Sequence, residues 1–159
     1  MAPQGSPDLL DTDVARRLLG TVAPARLAYT ALDGTPRLLP MWFLWHEHDR
    51  ELVLATFAGS HKVPALRARP DVAVTLDTAG PPPDVLMLRG RVVLDEVDGV
   101  LPEYAAMQVR YLGPENAAAA RAEVDRPGVR MVRIGLRPTW VGALDFRTRF
   151  PQALAGSAT

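Results

Sequence analysis

The chain has 159 residues, a formal net charge of zero and no cysteine. That length suits one domain with a real hydrophobic core. With 18 basic against 18 acidic side chains there is no excess to neutralise a phosphate backbone, which argues against nucleic acid, and the missing cysteines exclude disulfides, thiolate metal sites and thiol catalysis. The N-terminus, "MAPQGSPDLLD", is acidic and has no basic region before an apolar run, so it does not read as a signal peptide. The longest apolar run, "LLPMWFLW", is eight residues, too short to span a bilayer. The expectation is a cytoplasmic protein with one domain at 8–151 and small, polar, disordered tails at 1–7 and 152–159.

Residues 12–20, "TDVARRLLG", predict a short helix: Thr12 caps it, Asp13 suits its positive end and Gly20 closes it. "ARLAYTAL" (25–32) alternates and predicts a strand, followed by the turn signal "DGTP". "RLLPMWFLWHEH" (37–48) predicts a second strand and "ELVLATF" (51–57) a third, together an antiparallel meander. A short helix is expected over about 61–69, because Pro64 is comfortable only in a first turn and Pro70 stops it. "DVAVTLDT" (71–78) and "DVLMLRGRVVLDE" (84–96) predict two more strands. Helices at 99–111 and 114–124 are broken at "GP", and 129–146 supplies one or two final strands, bent at Pro138. The pattern predicts a mainly β fold with short helices, a six- to seven-stranded antiparallel barrel, closed or nearly so.

The second strand is apolar on both faces. Leu38, Pro40, Trp42 and Leu44 fall on one side, and Leu39, Met41, Phe43 and Trp45 on the other. One face suits the barrel interior. The other needs a cover: a helix of the same chain, a second copy, or a flat ligand.

Only one of the 18 basic residues is a lysine, Lys62, in "TFAGSHK". Thr56, Ser60, His61 and Lys62 lie on a strand-to-helix connection that Gly59 allows to turn tightly. Hydroxyl donors, a helix N-terminus and a point charge on a flexible stem suit a phosphate, where arginine would impose a planar fork. The plain alternative is an N-capping Ser60 beside a solvated Lys62. The glycine pattern of a Walker loop is absent. His46 and His48 share a strand side without an obvious third metal ligand, so no metal is expected. No nucleophile elbow or pair of catalytic carboxylates stands out, and no catalytic residue is assigned. Without an acid–base constellation, an enzymatic reading needs a cofactor to carry the chemistry.

The order of these pieces resembles the pyridoxamine 5′-phosphate oxidase-like family, the FMN-binding split β-barrels with their deazaflavin-using relatives. The resemblance runs from about residue 12 to 150 and rests on "ARLAYTALDGTPRLLPMWFLW", "ELVLATFAGSHKVPALRARPDVAVTL" and "LMLRGRVVL". It implies a homodimeric flavin-dependent oxidoreductase that transfers hydride between FMN and a small or planar substrate, with the cofactor in a groove between subunits. It implies phosphate binding by Thr56, Ser60, His61 and Lys62. Pro40, Met41 and Trp42 would border the ring, Arg37 and Arg67 would add charge, and Trp140 would come from the partner subunit. A basic C-terminal substrate segment, as in the longer pyridoxamine phosphate oxidases, has no match in "RFPQALAGSAT", so vitamin B6 oxidation is not implied. Alternatives are a deazaflavin-dependent reductase, its acidic tail on Arg67, Arg69 and the strand arginines; a non-catalytic flavin or haem binder using His46, His48 or His61; and a structural dimer with an empty groove.

Overall fold

A computed structural model describes residues 1–155, excluding the side chains of Gln152 and Ala155. After a 3-10 turn at Pro7–Asp11 the chain forms α1 (Asp13–Gly20), β1 (Ala25–Thr30), β2 (Pro36–Met41), β3 (Phe43–His46), β4 (Glu51–Phe57) and α2 (Lys62–Ala68). It continues through β5 (Asp71–Asp77), β6 (Val85–Asp98), α3 (Pro102–Leu112), α4 (Pro114–Val124), β7 (Arg130–Leu136), β8 (Trp140–Leu144) and the short α5 (Gln152–Ala155). Thr12 caps α1 as expected, its hydroxyl accepting the Ala15 N–H at 3.3 Å.

All strand pairs are antiparallel, in the order β2-β1-β5-β6-β7-β4-β3, with β8 also on β6. The 14-residue β6 bridges two sheets: its first half pairs with β5 and β8, its second with β7. The predicted strand 37–48 likewise joins both sheets and is two strands rather than one. β2 pairs with β1, the chain breaks at Trp42, and β3 pairs with β4. The predicted three-strand meander is therefore two hairpins in two sheets. The curled sheet runs through seven strands, with β8 added off that path on β6, and is the expected mainly β split barrel.

Alternating residues fill the barrel. Val72, Val74 and Leu76 of β5 are buried, as are Leu86 and Leu88 of β6 and Val132, Ile134 and Leu136 of β7. Leu18 of α1 and Leu66 of α2 join the same core. α3 packs on the outer side of β4 and β3. There Val53, Met107 and Met131 are buried outside the main cluster. The composition reads residues 1–7 as a tail, yet Gln4 exchanges hydrogen bonds with the backbone of Ala143, and the Gly5 N–H donates to Val141 O. At the other end 152–155 form a helical turn, and 156–159 lie outside the described residues. No helix among the described residues is long and apolar enough to cross a membrane.

Candidate functional site

Where the run 37–48 leaves one sheet for the other, a gap opens between β2 and β4. β4 pairs with β3 only as far as Leu54, although its other edge stays on β7 to Phe57. Over Ala55–Phe57 one strand edge faces the gap without a ladder partner. β2 likewise pairs with β1 on one side only. The gap is a groove of about 390 Å³ with Leu39, Pro40, Met41 and Trp42 on one wall, Thr56 and Phe57 on the other, and Lys62 beside them. Tyr104 and Met107 of α3 close its outer side.

Lys62 is the first residue of α2 and turns back toward β4. Its Nζ donates to Ser60 Oγ at 2.7 Å and to Thr56 Oγ1 at 3.1 Å. No carboxylate among the described residues lies within ion-pair distance of it. Partial burial therefore holds its pKa below the ordinary 10.5, because desolvation disfavours the ammonium. Ser60 does not cap α2; its hydroxyl serves the lysine instead. Both hydroxyls accept from Lys62 and keep their own O–H free to donate. An ammonium with two hydroxyl donors at one end of an apolar, flat-walled groove matches a phosphate joined to a planar ring system. α2 is only seven residues long, so the anion chemistry rests on these side chains rather than on a helix dipole. A Cβ at Gly59 would meet nothing within 4 Å, so the chain's own packing does not require glycine there.

Pro40, Met41, Trp42, Thr56 and Lys62 thus line one groove, and Ser60 joins them through Lys62. The other residues singled out in the sequence lie elsewhere in the chain. His61 is the exposed residue that opens α2, without a capping bond. Arg67 pairs with Glu96 of β6. Arg37 is held by Asp33, at 2.8 Å, and by Thr35 at the β1–β2 turn. Trp140 lies on β8 beneath the guanidinium of Arg89, 3.9 Å from its ring centre. Arg69 donates to the carbonyl of Ala31. His46 and His48 sit at the β3–β4 hairpin, beyond the opposite end of β4 from His61. No cluster of three metal-ligating side chains occurs among the described residues.

Sequence reasoning missed the α3 wall. Tyr104, Met107 and Tyr111 recur at helical spacing, a signal that reads as ordinary core packing. Tyr111 stacks on Trp42, with ring centres 4.9 Å apart and planes 8° from parallel. Its hydroxyl accepts the Phe43 N–H at 3.3 Å and lies 3.5 Å from Ala23 O, pinning the break between β2 and β3. A charged clasp sets the start of α3. The Arg133 guanidinium donates to Glu51 Oε2 at 2.6 Å and to Glu103 Oε1 at 2.7 Å. The hydrogen bond that Arg133 donates to Glu51 raises the Arg133 pKa against the opposing effect of burial, with Glu103 adding to it. Burial is the largest single effect on Glu103 and works against its ionisation, but the hydrogen bond and charge of Arg133, a backbone hydrogen bond and the charge of His46 together outweigh it and hold the carboxyl below its ordinary range. Gly135 makes room for the clasp: a Cβ there would sit 2.5 Å from Glu51 Oε1 and 2.8 Å from an Arg133 nitrogen.

Comparison with known proteins gives the same architecture. A solved F420 reductase is 27% identical and superposes with a TM-score of 0.66, over 89% of this chain and 98% of its own. A conserved hypothetical protein from Mycobacterium tuberculosis is 20% identical, with a TM-score of 0.66 over 91% of each chain. A pyridoxamine 5′-phosphate oxidase-related, FMN-binding protein from Nostoc punctiforme is 17% identical, with a TM-score of 0.58 over 82% of this chain and 78% of its own. No curated protein matches the sequence. The family model for pyridoxamine 5′-phosphate oxidase matches residues 12–141, which include both β2–β4 walls, Lys62 and the α3 wall, and the chain belongs to that family.

Proposed function

We propose that the protein is a homodimeric oxidoreductase that binds FMN in the β2–β4 groove and acts on a small or planar substrate. One observation carries this reading. The lone lysine is half-buried, meets two hydroxyls and no carboxylate, and stands at the end of an apolar groove. An ammonium so placed lacks a counter-charge, and a bound phosphate would supply it. Lys62, Ser60 and Thr56 hold the phosphate. Met41 and Trp42 flank the ring, and the unpaired edge of β4 offers backbone donors and acceptors to its polar rim. The bound flavin would supply hydride chemistry; the chain supplies position, an apolar setting and a fixed charge.

A second copy would cover the outer side of β2, where Leu38 is 68% exposed and Pro40 is bare. This is the dimer the family resemblance implies, and in it Trp140 would serve the partner's groove.

The likeness to an F420 reductase favours a second reading, a deazaflavin coenzyme in the same groove. The contacts of two arginines weigh against it. Arg67 is committed to Glu96 and Arg69 to the Ala31 carbonyl, so a long acidic tail would have to break those contacts to find a basic track.

Titrating the purified protein with FMN and with the deazaflavin coenzyme, following tryptophan quenching, tests both. FMN is expected to bind, with affinity falling about 30-fold in Lys62→Ala, the scale of a charge-assisted hydrogen bond. Equal FMN affinity in the variant would overturn the phosphate assignment. Preference for the deazaflavin would select the second reading.

A further inference from the structure

α3 presents two tyrosines to the region of the groove, and they are used differently. Tyr111 engages both faces of its chemistry within the chain: its ring stacks on Trp42 and its hydroxyl meets the backbone at Phe43 and Ala23. Tyr104 lines the groove itself, its ring edge-on to Phe57 at 6.1 Å between centres. Its hydroxyl makes no hydrogen bond among the described residues. Burial raises its pKa above the ordinary 10, so it is a protonated donor at neutral pH. The neighbouring Glu103 is fixed by Arg133, so this turn of α3 is held firmly against β4 and β7.

The rest of the wall narrows what such a donor would meet. Pro40, Met41, Trp42, Phe57 and Met107 are apolar, and no carboxylate among the described residues lines the groove. Its one cation lies at the Thr56–Ser60 end and is assigned to phosphate in the reading above. We infer that Tyr104 is the specificity-determining hydrogen-bond donor of the groove, and that the substrate is a planar, uncharged molecule presenting a carbonyl-type acceptor oxygen to it. The inference rests on the proposed flavin site, because the flavin fills the remainder of the groove and assigns Lys62 to phosphate. Apolar flat walls recognise the body of such a molecule by area, and a single neutral donor selects the acceptor oxygen.

The test uses protein loaded with oxidised FMN, wild type and Tyr104→Phe, and two probes of equal shape: 1-indanone, which carries a ketone, and indane, which does not. FMN titration of both proteins comes first. Uptake by neither would overturn the flavin reading and this inference with it. With flavin bound equally, 1-indanone is expected to bind about fivefold more weakly to Tyr104→Phe, the scale of one neutral hydrogen bond, while indane binds both alike. The infrared carbonyl stretch of bound 1-indanone is expected to lie lower in the wild type than in the variant. Equal 1-indanone affinities with an unshifted carbonyl would overturn the inference. So would an equal loss for indane, which would make Tyr104 a packing residue only.

Discussion

The two outer faces of the barrel are treated in opposite ways. Outside β3 and β4, α3 lays down a second apolar layer: Met107, Met131 and Val53 are buried, and Tyr111 covers Trp42. Among the described residues no helix packs broadly on β2, where Leu38 is 68% exposed. One continuous apolar run, 38–45, crosses from the bare face to the covered one, and the groove opens where it crosses. An apolar face can thus be covered within the chain or left bare, and a groove forms at the border, where the pairing of strands must change.

The covered face is broken most directly through its clasp. Arg133→Ala removes the shared partner of two largely buried carboxylates, leaving Glu103 uncompensated and Glu51 with only the exposed Arg137 at 3.9 Å. A loss of about 4 kcal/mol is expected, read by urea denaturation. A loss near zero would mean that α3 is held by apolar contact alone.

The bare face is probed by Leu38→Asp. In the folded monomer this exposed position tolerates the change, so urea stability at high dilution is expected to move by less than about 0.5 kcal/mol. The dimer is expected to weaken by about 2 kcal/mol per copy, the scale of one unburied leucine, as read by sedimentation. An unchanged assembly would separate this face from any interface.

A third test sharpens the border between the faces by titrating Lys62. Its ammonium is needed for an anion, so phosphate-ligand affinity is expected to fall as pH rises through its pKa, at a midpoint below 10.5, by up to about tenfold per pH unit. The free protein behaves in the opposite sense. Between the lowered folded pKa and the unfolded value the unfolded chain holds the extra proton, so stability rises with pH across that window. An affinity flat up to pH 10.5 would remove the lysine from the site.

The smallest effect is expected from Tyr111→Phe. The ring stays on Trp42 while the hydroxyl contacts at Phe43 and Ala23 are lost, at about 1 kcal/mol. A larger loss would show that the break between β2 and β3 depends on that hydroxyl more than on stacking.

Much of this was legible along the chain. The period-2 pattern of "DVAVTLD" marks β5, Thr12 and Gly20 bound α1, and a single lysine among arginines marks the cationic end of the groove. The division of 37–48 was not legible. A run that is apolar on both faces is equally consistent with one long strand and with two strands in different sheets, and the choice depends on β1 and β4 competing for it as partners. The α3 wall was hidden for a similar reason, since Tyr104 at helical spacing looks the same whether it faces a core or a cavity.

The sequence by itself determined the local elements and the chemical types present: alternation, capping residues and turn residues act between near neighbours, and their physics is readable at short range. Tertiary structure alone decided which charges are free. Arg67 and Lys62, both on α2, are alike as isolated cations. Folding brought Glu96 of β6 to the first and left the second with only hydroxyls. A side chain's charge is written in the sequence, but its counter-charge is set by whichever distant strand packs beside it.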